Sequence, residues 1–358
     1  MKIYFAIRAI EPTLGIESSY LKTVQSLREC EIEIVEVIAN QAIRHRVGLF
    51  RRLFPKKLIN IISDVSFFRK FLRSVATDSL IVLTGMWTAI PALLAAWNIK
   101  GLRFIIWEHS LHQARVDKTI GFTFLDFFAK KLYGRANKIV CVSPFVQDYI
   151  GRYVGLEKTV VIPNIVNESP NKENVKSQIP SEGLVRLVTA TSLSKIKNNR
   201  LLLEVLAIAP ENFRLTICGD GPEKDNLYQL AQDLGIEDRV AFTGFLPKDA
   251  LRGILSQSDI FIHSSLAETF GLALIEASTH NLPVVCGDAE AMKQMVPRFA
   301  PGRIAEYSPT KFLEAVQDVL NNPPTDEDFK LALAARQRKF GVTTVREKWF
   351  EVLGGSDG

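Results

Sequence analysis

The sequence predicts an α/β protein of two doubly wound, Rossmann-like domains that face a cleft. Three observations lead to this prediction. The length of 358 residues suits two domains of roughly 150 to 180 residues each. Short apolar runs alternate with amphipathic helical segments, which is the pattern of parallel sheets. A polar, turn-rich stretch at residues 163–183 interrupts this pattern near mid-chain, as a linker between domains does.

The first half of the chain contains six apolar runs that we interpret as strands, with helices between them. The predicted strands are residues 2–7, 31–38, 80–83, 103–107, 138–142 and 160–162. The predicted helices are residues 20–28, 92–97, 122–133 and 144–153.

The second half repeats the alternation more regularly. The predicted strands are residues 184–189, 214–218, 240–242, 259–263 and 283–286. The predicted helices are residues 200–208, 223–234, 249–256 and 272–280. Because such sheets bind ligands beyond the carboxyl ends of their strands, the functional site is expected at those ends.

One uncharged stretch, residues 79–99, is long enough to span a bilayer. Thr84-Gly85 stops its apolar run, and Pro91 suits the first turn of a helix that continues to Trp97. A strand–turn–helix unit buried under a parallel sheet is apolar for the same reason as a membrane span. We therefore predict a buried unit rather than a membrane helix.

The composition is typical of a folded protein in a reducing compartment. Hydrophobic residues make up 47% and charged residues 23% of the chain, which is enough to bury two cores. The four cysteines include no Cys-x-x-Cys pair, so neither a disulfide framework nor a zinc ribbon is indicated. Arg8 interrupts the first apolar run before it reaches signal-peptide length, and a cytoplasmic protein is expected.

The positive charge is concentrated in residues 44–73. The net charge is +5, yet this segment contains nine basic residues and one acid, so it carries +8 and the rest of the chain −3. Bulky apolar residues alternate with the charges, which suits either an interfacial helix on anionic lipid or a solvated helix face packed on the sheet. A single patch without displayed stacking aromatics does not indicate a nucleic-acid partner.

The most informative stretch follows a predicted strand and opens a predicted helix at residues 264–277. Thr269 is the predicted N-cap. The exposed N–H groups of Phe270, Gly271 and Leu272 would form a positive helix terminus suited to phosphate. Gly271 has no side chain and so lets a ligand approach the backbone closely.

Two glutamates bracket this helix start. Glu276 lies among apolar residues, where a carboxylate is costly unless hydroxyls of a sugar or ribose donate hydrogen bonds to it. The other interpretation is that Glu268 caps the helix and Glu276 faces solvent. The Phe-Gly pair between the glutamates, directly after a strand, favours a ligand site.

In these residues the sequence resembles the retaining nucleotide-sugar glycosyltransferases of family 4, which have the glycosyltransferase-B fold. Glu268 and Glu276 match the two-glutamate motif of that family, with seven residues between them and Phe-Gly-Leu in register. Residues 219–222 (Gly-Asp-Gly-Pro) match its strand-end turn, and residues 161–164 (Val-Ile-Pro-Asn) match its interdomain crossing. The resemblance is dense between about residues 160 and 288 and extends over nearly the whole chain.

The resemblance implies a role for each matching residue. Glu268 would contact hydroxyls of the donor sugar, and Glu276 the ribose of the nucleotide. Lys197 matches the lysine that pairs with the diphosphate, where a fixed ammonium stabilises the departing nucleoside diphosphate; a solvated loop charge is the alternative. The amides after Thr269 would hold phosphate or sugar oxygens, and Gly219 would lie beside the donor.

Other positions match less closely. Ser192 stands where the family has an arginine, so one charge instead of two would clamp the diphosphate unless Lys195 contributes. Gly15 matches one of two glycines near acceptor and phosphate, but Leu14 replaces the other, and an ordinary turn glycine is the alternative. His109 matches a histidine that contacts the donor sugar, against the alternative of a core or surface histidine.

The resemblance also implies the domain boundaries. Residues 1–165 would be the acceptor-side domain, 166–183 the linker and 184–340 the nucleotide-sugar domain, with a helix in 341–358 that packs back on the first domain. We expect no essential metal and no cofactor besides the substrate. His109 and His112 form a His-x-x-His pair, but no further ligands accompany it.

Together these expectations describe a retaining glycosyltransferase of hexosyl or N-acetylhexosaminyl type. It would move a sugar from a nucleotide diphosphate, UDP rather than GDP, to a glycan or lipid-linked acceptor in surface-polysaccharide or glycolipid assembly. It would be cytoplasmic and peripheral on the inner face of the membrane through residues 44–73. The alternatives are a non-catalytic nucleotide-sugar-binding or partner-binding protein, motivated by Ser192 and Leu14, and a nucleotide-sugar epimerase.

Overall fold

The computed structural model divides the chain into two compact units. The first consists of Met1–Ile165 with Val342–Gly358, and the second of Val166–Gly341. Each unit contains a parallel sheet with helices around it, so the predicted fold class of two Rossmann-like domains is confirmed. The structure describes residues 2–7, 15–30, 32–38, 56–109, 131–166 and 183–354.

In the first unit, the described strands form one parallel sheet of order β2-β1-β3-β4-β5-β6. The strands are β1 (Ile3–Ile7), β2 (Ile34–Ile38), β3 (Leu80–Thr84), β4 (Arg103–Glu108), β5 (Lys138–Cys141) and β6 (Thr159–Val161). The helices are α1 (Gly15–Arg28), α2 (Lys56–Ser74), α3 (Met86–Ala95) and α4 (Pro144–Val154). The helix predicted at 122–133 lies mostly outside the described residues.

In the second unit, the sheet has the order β12-β11-β10-β7-β8-β9 and is again parallel. Its strands are β7 (Val185–Ala190), β8 (Phe213–Cys218), β9 (Val240–Gly244), β10 (Ile260–His263), β11 (Val284–Gly287) and β12 (Gly302–Ala305). Its helices are α5 (Asn199–Ile208), α6 (Lys224–Asp233), α7 (Lys248–Gln257), α8 (Leu272–Thr279), α9 (Glu290–Met295), α10 (Pro309–Asn321) and α11 (Asp326–Phe340).

The uncharged stretch at 79–99 forms the buried strand β3 and the helix α3. All five residues of β3 are buried, because the strand is central in a parallel sheet that is covered on both faces. No helix in the part of the chain that the structure describes is both long and apolar enough to cross a membrane.

The prediction that Pro91 lies in the first turn of this helix is wrong. The helix begins at Met86, because Gly85 already acts as its N-cap and accepts hydrogen bonds from the amides of Thr88 and Ala89. Pro91 therefore lies inside the helix. The carbonyl that loses its partner there is that of Trp87, an exposed residue of the first turn where water can replace the missing N–H.

The last helix, α12 (Val342–Leu353), belongs to the first unit although it follows the second along the chain. Its Trp349 is fully buried and packs against Phe5 of β1 and Trp107 of β4, with ring centroids 5.8 Å and 4.9 Å apart. Burial of so large an aromatic fixes the helix on this sheet. The segment expected to link the two domains lies almost wholly at 167–182, outside the described residues.

Candidate functional site

Two loops that follow neighbouring strands of the second unit are bonded to each other. Strands β7 and β10 are adjacent, so the chain after each of them emerges at the same edge of the sheet. The Leu266 amide donates to the Ile196 carbonyl at 2.8 Å, and the Ser264 hydroxyl lies 3.1 Å and 2.8 Å from the carbonyls of Lys197 and Asn198. These bonds fix the turn Lys195–Lys197 against the loop that contains Glu268.

A lysine, a glutamate and a histidine meet at this edge. The Oε1 atom of Glu268 accepts a hydrogen bond from Lys197 Nζ and lies 2.9 Å from His263 Nε2. The three side chains are 15%, 21% and 3% exposed, in the order Glu268, Lys197, His263. Within the described part of the chain no hydrogen bond reaches the other oxygen, Oε2 of Glu268. That oxygen is available to a ligand.

The two partners of Glu268 keep its carboxylate ionised. Burial by itself would raise the pKa of Glu268, but the hydrogen bond to His263 and the positive charge of Lys197 outweigh it and lower this pKa to about 2. A buried, ionised carboxylate with a free oxygen is a strong and fixed acceptor for hydroxyl groups.

The helix that follows Glu268 begins at Leu272, as predicted, but its N-cap is not the predicted residue. Its N-cap is Gly271, and the prediction of Thr269 as N-cap is wrong. Gly271 has a φ of 85°, a left-handed conformation that a residue with a side chain adopts only at a cost, so the chain turns into the helix here. Because backbone conformation sets the start of this helix, its N-cap position lacks the Ser, Thr, Asp or Asn residue that usually marks an N-cap in a sequence.

The start of α8 presents unbonded N–H groups. In the described residues, none of the backbone amides from Phe270 to Ala273 donates a hydrogen bond. The eight-residue helix adds its dipole, so this terminus is a favourable place for an anion. The loop of Glu268 leads directly into it, which places a carboxylate acceptor and an anion site in consecutive residues.

The side chains around this terminus have different surroundings. Phe270 is buried, and its ring packs edge-on against Phe340 at 5.1 Å, so its side chain contributes packing. Leu272 is half-buried. Glu276, one turn further along α8, is exposed, and we place it at the surface where a ligand can reach it.

The turn after β8 approaches the same loop. Gly219 has a φ of 147°, and a Cβ on it would collide with the carbonyl oxygen of Thr191, so glycine is required for this close approach. The Leu193 amide donates to the Asp220 carbonyl at 3.0 Å, and the Glu223 amide donates to the Leu193 carbonyl at 2.9 Å. The Gly-Asp-Gly-Pro turn thus supports the loop that contains Lys197.

The two residues relevant to the missing arginine are both exposed. Ser192 has its hydroxyl 3.5 Å from that of Ser194, and Lys195 forms no ion pair with any described residue. Lys195 therefore has an uncommitted charge two residues from Lys197.

In the first unit, His109 follows β4 and is buried. Its ring packs against Trp107 with centroids 4.5 Å apart, and its Nε2 has no hydrogen-bond partner among the residues that the structure describes. Burial lowers the pKa of His109 to about 3, so the imidazole is neutral at pH 7. Gly15 is the first residue of α1. Leu14 and His112 lie outside the described residues.

The buried imidazole of His109 predicts a specific pH dependence of stability. An unfolded histidine has a pKa of about 6.5, so below that pH the unfolded state takes up a proton that the folded state refuses down to about pH 3. The free energy of unfolding should therefore decrease as the pH is lowered. This group contributes about 2 kcal/mol of that decrease between pH 7.5 and pH 5. Denaturant unfolding of wild type and His109→Gln at both pH values measures the difference, and equal pH dependence in the two proteins would refute the assignment.

No group of three or more His, Cys, Asp or Glu among the described residues could hold a metal ion. The expectation that no metal is essential stays a prediction.

Comparison with known proteins assigns both halves of the chain. The family model described as Glycosyltransferase Family 4 matches residues 23–169, and the one described as Glycosyl transferases group 1 matches residues 171–336. The chain belongs to glycosyltransferase family 4. The predicted resemblance to this family is thereby confirmed.

Relatives of this family-4 chain include proteins named for transfer to phosphatidylinositol compounds. The chain is 25% identical over 244 residues to the phosphatidylinositol N-acetylglucosaminyltransferase GPI3 subunit of Saccharomyces cerevisiae. This alignment covers 63% of this chain and 51% of the yeast protein. The chain is 26% identical over 209 residues to the GDP-mannose-dependent alpha-(1-6)-phosphatidylinositol dimannoside mannosyltransferase of Mycobacterium tuberculosis, covering 56% and 53%. The chain thus spans about half the length of the curated relatives it matches.

The fold is shared with solved glycosyltransferase structures. Anabaena Alr3699/HepE, solved in complex with UDP and glucose, aligns over 99% of this chain and 100% of its own, with a TM-score of 0.73 and 19% identity. At that identity the likeness supports the fold alone.

The structure brings together some of the residues that the family resemblance singled out. Lys197 and Glu268 are bonded, Thr269 to Leu272 follow directly, and Gly219 supports the loop of Lys197 from the other side. His263 was not among the predicted site residues, although it is bonded to Glu268. Its signal in the sequence is a histidine at the end of an otherwise apolar strand, five residues before the glutamate.

Proposed function

We propose that this family-4 chain is a retaining glycosyltransferase that moves a hexosyl or N-acetylhexosaminyl group from a UDP-sugar to a hydroxyl of a glycan or lipid-linked acceptor. The process served would be surface-polysaccharide or glycolipid assembly. One observation carries the proposal: an ionised Glu268 held by Lys197 and His263 directly before the unbonded amides of α8. A nucleotide sugar needs this combination of acceptor for sugar hydroxyls and positive terminus for phosphate.

The donor is proposed to bind along this edge of the second unit. The amides at the start of α8 and the ammonium of Lys197 would hold the diphosphate, and Lys195 would add a second charge in place of the missing arginine. The exposed Glu276 would accept hydrogen bonds from the ribose. The free Oε2 of Glu268 would accept a hydrogen bond from the sugar.

The proposed chemistry relies on charge stabilisation. When the bond between the sugar and the diphosphate breaks, negative charge grows on the leaving phosphate, and preorganised donors stabilise that charge in the transition state. Lys197 and the α8 amides would supply this stabilisation without a metal or further cofactor. The acceptor hydroxyl would attack from the face that the diphosphate leaves and pass its proton to a phosphate oxygen, which retains the anomeric configuration.

Two further assignments belong to this proposal. His109 is neutral, and none of the described residues bonds to its Nε2, so this atom can exchange a hydrogen bond with a hydroxyl; this supports its assignment to the donor sugar. Glu268 is proposed to bind the sugar rather than to attack it, because one of its oxygens is already held by two donors.

The relatives support a lipid-linked acceptor, since the yeast and mycobacterial proteins are named for phosphatidylinositol compounds. One of these names specifies GDP-mannose. A test therefore needs both UDP-sugars and GDP-mannose, incubated with the purified protein and with water or a lipid-linked glycan as acceptor. NMR of the released or transferred sugar gives its anomeric configuration.

We expect turnover of a UDP-sugar with retention, and loss of nucleotide binding in Glu276→Ala. An inverted product would contradict the retaining mechanism. Binding that is lost in Glu276→Ala, but without turnover of any donor, would favour the non-catalytic binding protein instead.

The protein is also proposed to be cytoplasmic and to dock on the inner face of the membrane through residues 44–73. In the described part of this segment, α2 buries Phe68 and Leu72, whereas Arg69, Lys70 and Arg73 are exposed. An exposed basic helix face supports attraction to anionic lipid.

This docking predicts salt-sensitive binding to anionic liposomes. Flotation with phosphatidylserine-containing vesicles should recover the wild type at low salt and less of it at high salt, because screening weakens surface charge. The triple variant Arg69→Glu, Lys70→Glu, Arg73→Glu should stay unbound. Failure of the wild type to bind at either salt concentration would dismiss the membrane role.

A further inference from the structure

Among the described residues, the one hydrogen-bond partner of the His263 side chain is Glu268. His263 is the last residue of β10, a strand between β7 and β11, and its imidazole is almost completely buried. Its Nε2 lies 2.9 Å from Oε1 of Glu268, and its buried Nδ1 has no hydrogen-bond partner in the part of the chain that the structure describes. A histidine buried at the end of a core strand is costly unless its polar atoms are used, and here one atom is used on Glu268.

The geometry determines how the ring acts. Oε1 of an ionised carboxylate can only accept, so Nε2 is the atom that donates. His263 therefore acts on Glu268 as a hydrogen-bond donor through Nε2.

The two hydrogen-bond donors to Glu268, Lys197 and His263, differ in whether they have a second role in the proposed site. Lys197 is assigned to the diphosphate, so a bound donor competes with Glu268 for its charge. His263 lies in the sheet, has no second hydrogen-bond partner among the described residues and cannot be drawn away. Once the diphosphate engages Lys197, His263 is the donor that remains on Glu268.

We propose that His263 is a positioning residue for glycosyl transfer, which keeps Glu268 ionised and its Oε2 directed at the sugar while Lys197 serves the diphosphate. This inference rests on the proposed function of the site. It assigns the two oxygens of one carboxylate to different tasks, since Oε1 is held by the protein and Oε2 is left to the substrate.

Few other titratable groups surround this pair in the described structure. Cys286 is the neighbour of His263 on β11, and burial raises the pKa of its thiol to about 12. Tyr307 donates its hydroxyl to the Ser265 carbonyl, and burial raises its pKa to about 12 as well. Both are neutral at pH 7. Asp288, which follows β11, acts electrostatically on both of these neutral groups.

The loss of His263 should raise the pKa of Glu268. In the free protein Lys197 still stabilises the carboxylate, so the rise is limited. In the donor complex Lys197 is shared with the diphosphate, and the rise is larger. Because kcat reports ionisations in the substrate complex and kcat/KM those in the free enzyme, the acid limb should move upward further in kcat than in kcat/KM.

The test uses His263→Leu, which removes the donor, and His263→Gln, which can replace it through an amide N–H. The matched control is His280→Gln, a half-buried histidine at the C-cap of α8 that does not contact Glu268. Thermal unfolding shows which variants fold. We expect kcat of His263→Leu at pH 6 to fall by about 10- to 100-fold, as for other small losses of alignment, with most of this restored in His263→Gln and no change in His280→Gln.

A second readout does not depend on turnover. Carbon-13 NMR of glutamate-labelled protein, with Glu268→Gln to assign the signal, follows the Glu268 carboxylate with pH. We expect no titration of Glu268 above pH 4 in wild type, and in His263→Leu an upward shift of its midpoint by about one unit or more. An unchanged midpoint together with an equal loss of kcat at every pH would mean a merely structural role and overturn the inference. A wild type without transferase activity would contradict the proposed function, while the NMR titration would still decide the role of His263.

Discussion

Replacing Lys197 by alanine is expected to slow glycosyl transfer by about 100- to 1,000-fold, because loss of one preorganised donor to the leaving group costs roughly 3 kcal/mol of transition-state stabilisation. Affinity for free UDP should fall as well, since the same ammonium would contact the diphosphate before and after transfer. The carboxylate of Glu268 should stay ionised at pH 7 in this variant, because its bond to His263 persists. Transfer rates and calorimetric binding of UDP measure the two effects.

Lys311 provides the matched control. It also pairs with a glutamate, Glu314, at 2.7 Å, but both side chains are exposed on helix α10, and no hydrogen bond or ion pair joins them to Glu268 or His263 in the described structure. Lys311→Ala should leave transfer and UDP affinity unchanged. Unaltered kinetics in Lys197→Ala would remove Lys197 from the site.

Glu268→Gln is expected to lower transfer by about 10- to 100-fold, the factor that corresponds to losing a hydrogen bond to a charged group. The amide keeps the size of the side chain but removes the ionised acceptor for a sugar hydroxyl. Affinity for UDP should change little, because the proposed contacts of Glu268 are with the sugar and not with the nucleotide. Comparison of UDP with the UDP-sugar as ligands therefore separates this variant from Lys197→Ala.

The matched control for this variant is Glu314→Gln, in the same exposed pair. It should behave as wild type in both measurements. If Glu268→Gln weakened UDP binding as strongly as sugar-nucleotide binding, Glu268 would belong to the diphosphate site, and the assignment of its Oε2 to the sugar would be wrong.

The strands were predictable because parallel sheets bury whole apolar runs. The predicted runs at 80–83 and 214–218 differ from β3 and β8 by one residue at one end. The edge strand β12 was missed, because its short sequence contains Arg303 and the exposed Ile304 and therefore lacks a buried run. The N-caps were harder to predict: α3 and α8 both have a glycine N-cap, which carries no side-chain capping signal.

The candidate site was predictable as residues but not as contacts. Lys197 and Glu268 were named from the family resemblance, yet they are 71 positions apart, and only the adjacency of β7 and β10 brings them together. His263 was missed because, in the sequence alone, a histidine at the end of an apolar strand cannot be distinguished from a core residue. Its bond to Glu268 becomes visible only in the structure. The sequence position of a side chain does not reveal which loop folds over it.

The central claim is that a nucleotide sugar binds at the edge of the second unit formed by Lys197, Glu268 and the start of α8. A crystal structure of the protein with a bound UDP-sugar tests this claim most directly. The proposed function predicts diphosphate oxygens within hydrogen-bond distance of Lys197 Nζ and of the amides at 270–273, and a sugar hydroxyl on Oε2 of Glu268. A nucleotide sugar bound elsewhere, with these groups free of contact to it, would contradict the claim.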